Sequence, residues 1–487
     1  MNFKLLSNIA GKGFVALLML SSLPWLVEAV GPKGYGLIGI YTSVQTILML
    51  FDAGISAGYT RRISGIDTKN ESDLFSQILA KYLYLFLKVA SVIFITSALA
   101  FFYFTYEQYG SGYALPLFMA LSVALQFMHI YYQATLSTSG HQVQFNVMYV
   151  IFGTLRYPIL TSMIALQNMD MASYFSLVTL FSLIYWIMLH TTLVRKIKID
   201  FRRLLLKGSR ADRNTDNSSS FNKMMFILIL TSSILYQSDK LILSKLSTPE
   251  ILGFYSLAFT VASFPMIFSS SFYYYLFPKL VSLSIAMNTI DFKREFLNNA
   301  VLMISGIGSV CIYVSYFSSD LLSIWLKSEN YAREAGDILK YLILGSLIQG
   351  ILMIPYCAQL ALGRLKYIVN LNLILGTCLI ISQFTAVLFY DPSTLAKCWL
   401  AYNVLLLILI AAKIKTVANL DSKVSWISFG IIIPILTIYA QVRLTDIIID
   451  YYSADKIVII IISGAISVFI SGLYAYIFLK KNNASAV

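Results

Sequence analysis

Stretches of about twenty mostly apolar residues recur along this chain, and they restrict its fold more than any other feature. Tyr35 to Ala57, Ala172 to Val194 and Lys456 to Leu479 each have the length a helix needs to cross about 30 Å of hydrocarbon. A single water-soluble core has no room for them. Hydrophobic residues make up 58% of the chain and charged ones 12%, with mean hydropathy +0.75, where a soluble protein carries about 25% charged residues. No stretch alternates in the ten-residue manner of an outer-membrane barrel, so helices are left as the structure that satisfies every backbone group in lipid. The fold class is an all-α integral membrane protein.

Hydropathy places spans near residues 9–30, 35–57, 78–104, 113–136, 143–166, 172–194, 221–243, 251–276, 296–317, 338–362, 367–390, 395–413, 424–442 and 456–479, about fourteen in all. The run that follows Met1 to Lys4 continues through Val30 without a small-residue cleavage site, so it reads as a retained first helix. Gaps on one side hold Arg61, Arg62, Lys69, the basic stretch from Arg195 to Arg213, Lys279, Lys293, Arg294, Arg364, Lys366, Lys413, Lys415, Lys423, Lys480 and Lys481. The opposite gaps hold Glu107, Asp170, Glu250, Asp320, Glu329, Asp391, Asp446 and Asp450. The first set contains roughly three quarters of the loop Lys and Arg, so the positive-inside rule puts both termini in the cytoplasm. Net charge +13 is then a signature of cytoplasmic loops, not of nucleic-acid binding. Cys311, Cys357, Cys378 and Cys398 show no ligand-like spacing, and neither a disulfide framework nor a metal site is expected.

The longest hydrophilic segment, 195–220, is basic and then Ser/Asn/Asp-rich, the pattern of a cytoplasmic linker. It divides the chain into an N-terminal six-helix block (1–194) and a C-terminal one (221–416), with residues 417–487 supplying spans 13 and 14. Gly31-Pro32-Lys33-Gly34-Tyr35-Gly36 and Pro249-Glu250-Ile251-Leu252-Gly253 each place Pro four residues before Gly at the start of a long apolar helix. Their offset is about 217 residues, and at the same offset Arg62 falls on Lys279, so a parallel duplication is expected.

Gly31-Pro32-Lys33-Gly34-Tyr35-Gly36-Leu37-Ile38-Gly39, Asp52-Ala53-Gly54 and Arg61-Arg62 resemble the opening of Wzx-type polysaccharide flippases of the multidrug/oligosaccharidyl-lipid/polysaccharide exporter superfamily. Gln237-Ser238-Asp239-Lys240, Gly253-Phe254-Tyr255, Ile324-Trp325-Leu326 and Ala358-Gln359 through Gly363-Arg364 are similar to later parts of that family. The chain departs at Lys327, where the family usually has Gly, and after Asp391, where Pro392 to Lys397 replace a run of small residues. The resemblance implies a MATE-like arrangement of two six-helix lobes plus two C-terminal helices, in the bacterial inner membrane. It also implies translocation of an undecaprenyl-pyrophosphate-linked oligosaccharide, of the O-antigen or lipopolysaccharide kind, from the cytoplasmic to the periplasmic leaflet by alternating access. Membrane lipids and the polymerase and chain-length proteins of the same pathway are the partners it implies, and nucleic acid is not one.

Ionisable groups within hydrocarbon cost a few kcal/mol each and are the informative residues. They are Lys12, Asp52, Lys81, Lys88, Arg156, Lys223, Asp239 and Lys240. Lys12, Lys88, Arg156 and Arg62 are the candidate cations for the pyrophosphate, since Lys and Arg both donate to its oxygens. Snorkelling to the headgroups is the competing account for Lys12, Lys81 and Lys223. Asp52 and Asp239 are candidate coupling carboxylates for a proton or sodium, with static pairing to Arg61 or Arg62 and to Lys240 as the alternative. No cofactor is implied. Tyr131, Tyr132, Tyr273, Tyr274 and Tyr275 are expected in interfacial belts. A cation-coupled drug antiporter of the same fold is the nearer rival. A polysaccharide polymerase or ligase is more distant, because the outer gaps hold no recognisable acid/base pair and an enzyme is not expected.

Overall fold

A computed structural model of the chain describes residues 3–52, 55–64, 72–109, 112–167, 169–197, 219–414, 427–451 and 456–484. Among them there are only helices and their connections. Eleven helices are long and apolar enough to cross a membrane. One of these, Gly11–Asp52, is 42 residues long and breaks at Gly31, so it accounts for two crossings. Adding Ser219–Leu246 and the consecutive pair Pro249–Ala262 and Phe264–Ile285 gives about fourteen, the number expected from hydropathy. Cα packing divides the chain into two compact units, one of Met1–Asn217 with Thr248–Gly253 and one of Ser218–Ser247 with Phe254–Val487. Most of the basic linker, 198–218, and the junction at 416/417 lie outside the described residues.

The first unit starts with α1 (Phe3–Leu48), interrupted where Gly31 takes φ 66° ahead of Pro32. A left-handed residue followed by a ring that removes an N–H ends one helix and starts the next. There follow α2 (Ile55–Ser64), α3 (Ser72–Tyr109) and α4 (Ala114–Thr138). Then α5 (Gln142–Thr154) runs through a π-turn, Leu155–Ile159, into α6 (Leu160–Gln167), and α7 (Met171–Ile197) closes the unit. Asp170 starts α7 by accepting the Ser173 N–H at 3.0 Å. The first half of α1 lies parallel to α5, with Gly11 against Asn146 and Val150 and Gly153 against Val15. Helices in lipid gain little from burying apolar area, so this close approach over glycines is what holds them. The fifth span therefore crosses in the same direction as the first, in agreement with the alternating loop charges.

The two repeat motifs meet reciprocally within this unit. A Cβ on Gly253 would lie 1.9 Å from the Pro32 carbonyl oxygen, and one on Gly36 would lie 2.5 Å from that of Pro249. The proline of each motif thus packs on the glycine of the other.

The second unit contains α8 (Ser219–Leu246), α9 (Pro249–Ala262, from Phe254 onward), α10 (Phe264–Ile285), α11 (Thr289–Met303), a π-turn Ile304–Gly308 and α12 (Ser309–Tyr316). It continues through α13 (Ser318–Leu326), α14 (Glu329–Ala361), α15 (Lys366–Phe389) and α16 (Pro392–Ala412). A π-turn at Ser428–Ile432 leads into α17 (Ile433–Tyr451), and α18 (Lys456–Ala484) ends the described chain. α13 is a short helix that hydropathy alone does not separate from its neighbours. It ends at Lys327, whose φ is 52°. That backbone conformation accounts for a glycine preference at this position, because a Cβ there meets the carbonyl oxygen. The last two spans pack on α12 through Tyr313, whose hydroxyl is 3.0 Å from that of Thr445, and through Ser309, 2.8 Å from the Ser471 hydroxyl.

Two outcomes follow from the backbone. Gly253→Ala is expected to lower the thermal unfolding midpoint in detergent, by an overpacking cost of about 1–3 kcal/mol, while Gly13→Ala, with nothing within 4 Å, leaves it unchanged. Lys327→Gly is expected to raise the same midpoint, by about 0.5–1 kcal/mol, because relief of the left-handed strain exceeds the added chain entropy.

Candidate functional site

The polar residues of the first unit converge on Arg156. This residue lies in the π-turn between α5 and α6, where Pro158 removes a backbone donor and the helix widens to accommodate the missing bond. Its guanidinium reaches the Tyr41 hydroxyl and lies near those of Tyr157 and Tyr174. Its central carbon is 5.9 Å from the centroid of the Phe152 ring. Tyr41 is in the second half of α1, packed between Phe101 of α3 and Phe175 of α7 at centroid distances of 5.9 and 5.0 Å. On α4, Ser122 Oγ donates to Tyr41 Oη at 2.9 Å and Gln126 Nε2 donates to the same oxygen at 2.6 Å. Gln45 Nε2 in turn donates to Gln126 Oε1 at 2.8 Å.

The arrangement is rich in donors and poor in charged acceptors. Three side chains direct N–H or O–H groups at one phenol oxygen, and among the described residues no carboxylate pairs with Arg156. Arg156 is only partly buried, so a face of the guanidinium stays open. An anion or a hydroxyl-bearing group is what such a site accepts. Beside it, His129 stacks edge-on against Tyr185 and Phe152, and its Nε2 is buried without a partner, as are Ser182 Oγ and Tyr185 Oη.

The other candidate cations stand elsewhere. Lys12 is exposed on α1, roughly 9 Å along the bundle from Arg156, judged from the pairing of Val15 with Gly153. Lys88 is exposed on α3, about 20 Å along that helix from Phe101, the ring that stacks on Tyr41. Arg62 belongs to α2, with its side chain, like those of Arg61 and Lys223, outside the described residues. Arg156 is therefore the one candidate cation placed in the polar network.

Asp52 bonds to Ser56 in the first turn of α2, accepting its N–H at 2.9 Å and its hydroxyl at 2.5 Å. That is the geometry of a helix cap. Asp239 is in the second unit, on α8, where it and Lys240 are 2% and 3% exposed. Its carboxylate accepts the Tyr255 hydroxyl at 2.7 Å and the Lys240 backbone N–H at 2.7 Å. Lys240 Nζ lies 3.9 Å from the centroid of Phe259, whose ring also meets Tyr236. Ser238 of the same helix donates to Gln383 of α15 at 2.7 Å. The adjacent opposite charges leave this buried position neutral overall.

Tyr131 and Tyr132 were expected in an interfacial belt, and the structure instead buries both completely. Tyr131 stacks on Tyr59 at 5.3 Å and meets Phe86 at 5.6 Å, while the Tyr132 hydroxyl is 3.0 Å from His190 Nδ1. Sequence reading named neither Tyr41 nor Gln45 nor Ser122. A usable signal was present, since Tyr41/Gln45 and Ser122/Gln126 are both four apart and so put two polar groups on one face of an apolar helix.

A model of the polysaccharide biosynthesis protein family matches residues 4–284, and the chain belongs to that family. No curated protein sequence is similar enough to match. Among solved structures, the chain is similar to the lipid II flippase MurJ in an inward closed conformation, with TM-score 0.70 and 13% identity over 98% of this chain and 99% of that one. It is also similar to an inward-facing MATE multidrug transporter of the MOP superfamily, with TM-score 0.61 and 12% identity over 87% and 97% of the two chains. A third likeness is to a MOP transporter from Pyrococcus furiosus described as having a binding pocket of reversed polarity, with TM-score 0.52 and 12% identity over 85% and 94%. The fold is thus the one shared by MurJ and the MATE transporters, as the sequence resemblance implied.

The buried pair in the second unit gives a direct test. Asp239→Ala is expected to destabilise by about 3–5 kcal/mol because it strands Lys240, whereas Asp239→Leu combined with Lys240→Met recovers most of that loss. Denaturation in detergent micelles measures both, and equal destabilisation of the two variants would refute the compensation.

Proposed function

We propose that this protein is a flippase that moves a polyprenyl-pyrophosphate-linked oligosaccharide repeat unit between the leaflets of the bacterial inner membrane by alternating access, from the cytoplasmic to the periplasmic side. The observation that carries this reading is the Arg156 site, a cation with no carboxylate partner among the described residues, surrounded by amide, hydroxyl and phenol donors at mid-span. Membership of the polysaccharide biosynthesis family and the likeness to a lipid II flippase support it. Arg156 receives a headgroup phosphate oxygen, and Gln45, Gln126 and Ser122 suit sugar hydroxyls next to it. Lys12 and Arg62 contribute positive charge along the route. Asp239, held by Tyr255, is the carboxylate available for coupling to a proton or sodium, whereas Asp52 serves chiefly as a helix cap. The repeat is of the O-antigen or lipopolysaccharide kind, the polymerase and chain-length proteins of that pathway act next, and the protein itself makes and breaks no covalent bond. Both termini are placed in the cytoplasm by the loop charges.

Deleting the gene in its host is expected to trap the lipid-linked repeat in the cytoplasmic leaflet, as read by leaflet-specific labelling. The wild-type gene restores delivery, while Arg156→Gln at matched expression delivers about ten- to hundredfold less, the factor that corresponds to one lost charge-assisted hydrogen bond. Normal periplasmic delivery in the deletion strain, in a host with no second flippase, would sink the proposal and favour a cation-coupled antiporter.

A further inference from the structure

A second basic feature, on α3, takes no part in the Arg156 network. Lys88 stands about 20 Å from Phe75 and about 27 Å from Tyr106, the ends of its apolar span, and is therefore near the middle of the membrane. The side chains around it on the helix surface are exposed, with Tyr84 at 55%, Leu85 at 36% and Val92 at 47%. The buried stripe of α3, Leu79, Leu83, Phe86, Ala90 and Ile93, is on the other side of the helix. Lys88 Nζ is turned toward the helix N-terminus, 4.4 Å from the centroid of the Tyr84 ring. Lys81 comes two turns before Lys88 on the same face, about 10.5 Å away along the axis. Among the described residues no carboxylate pairs with either lysine.

An ammonium group facing hydrocarbon at this depth costs about 2.5–3.5 kcal/mol. A lysine stem reaches about 6 Å, which does not span the roughly 15 Å from mid-membrane to the headgroup layer. The protein supplies no counter-charge and the side chain cannot escape, so the compensating group has to come from the bilayer. We infer that the Lys81–Tyr84–Lys88 face of α3 is a binding site for one anionic phospholipid of the leaflet at the N-terminal end of this helix. Its phosphate is drawn inward between the two lysines, the Tyr84 hydroxyl lies within the same face, and its acyl chains run toward the membrane centre over exposed Val92, Ile95 and Leu99. The occupant is a bulk lipid because the site is on the exposed surface of the lobe, apart from the Arg156 network by about 20 Å along α3. This inference does not depend on which substrate the protein moves.

The full chain is reconstituted in nanodiscs of phosphatidylcholine with about a quarter phosphatidylglycerol, a mixture that supplies one anionic headgroup for comparison with a zwitterionic one. Native mass spectrometry then counts the phosphatidylglycerol retained after release from the disc. The wild-type chain is expected to retain one molecule more than Lys81→Gln/Lys88→Gln, and Lys88→Arg is expected to behave as wild type. Equal retention by wild type and the double variant overturns the site. Displacement of the retained lipid by an equimolar polyprenyl diphosphate, in wild type but not in the double variant, overturns the choice of occupant and assigns the face to substrate in transit. If the double variant fails to fold, Val92→Trp fills the acyl groove without touching either lysine and is expected to abolish the extra molecule, and unchanged retention there also overturns the site.

Discussion

Hydrocarbon offers no hydrogen bonds, and an unsatisfied polar group within it costs several kcal/mol, so every such group has to be answered by the protein or by what the protein binds. The structure meets this demand at three scales. Hydroxyls return to their own helices, as when Ser22 donates to the Leu18 carbonyl, Ser43 to Gly39 and Ser97 to Ile93. Amides and phenols pair between helices, as in Gln126 with Tyr41, Ser238 with Gln383, and Tyr402 with Asn372. Where neither suffices, opposite charges are placed together, as in Asp239 beside Lys240. Lipid leaves no apolar driving force between helices, so the pairs that approach closely do so over small residues, Gly153 on Val15, Gly376 on Leu235 and Gly345 on Trp399.

Against that background the two units treat charge in opposite ways. The second unit neutralises its deep carboxylate with a neighbouring ammonium and seals both from the surface. The first unit gives its deep arginine only neutral partners, which satisfy its donors in part and leave its charge unanswered. A net positive charge at membrane depth is stable only when an anion visits or water reaches it. The same reasoning applies to Lys88 from the outside of the lobe, where the available anion is a lipid phosphate.

The local helix geometry serves the same end. Pro158 takes one backbone donor out of the fifth span, and the π-turn that absorbs the change carries Arg156 itself. The π-turn at Ser428–Ile432 likewise lies just before a proline, Pro434, and in the ninth span Ile304–Gly308 contains Gly306. A widened turn swings the following residues about the helix axis relative to a regular helix, so the hydropathy pattern read at 3.6 residues per turn does not say where they point.

What the sequence determined by itself is local in character. Span lengths follow from apolar runs, the break at Gly31-Pro32 from residue types, and the crossing directions from Lys and Arg in the gaps. Lys327 was marked as unusual before its left-handed backbone was seen, because the residue expected there is glycine. Other properties were decided by the tertiary structure. Tyr131 and Tyr132 are core residues, Asp52 caps a helix, Arg156 sits among Tyr41, Tyr157 and Tyr174, and Lys88 faces outward. The reason is physical: a helix crossing lipid is apolar all round, so unlike an amphipathic surface helix it carries no stripe that distinguishes its inward face from its outward one. Which face is buried is settled only by where neighbouring helices come close enough to pack, and with it whether a given charge meets a protein partner, a ligand or the bilayer.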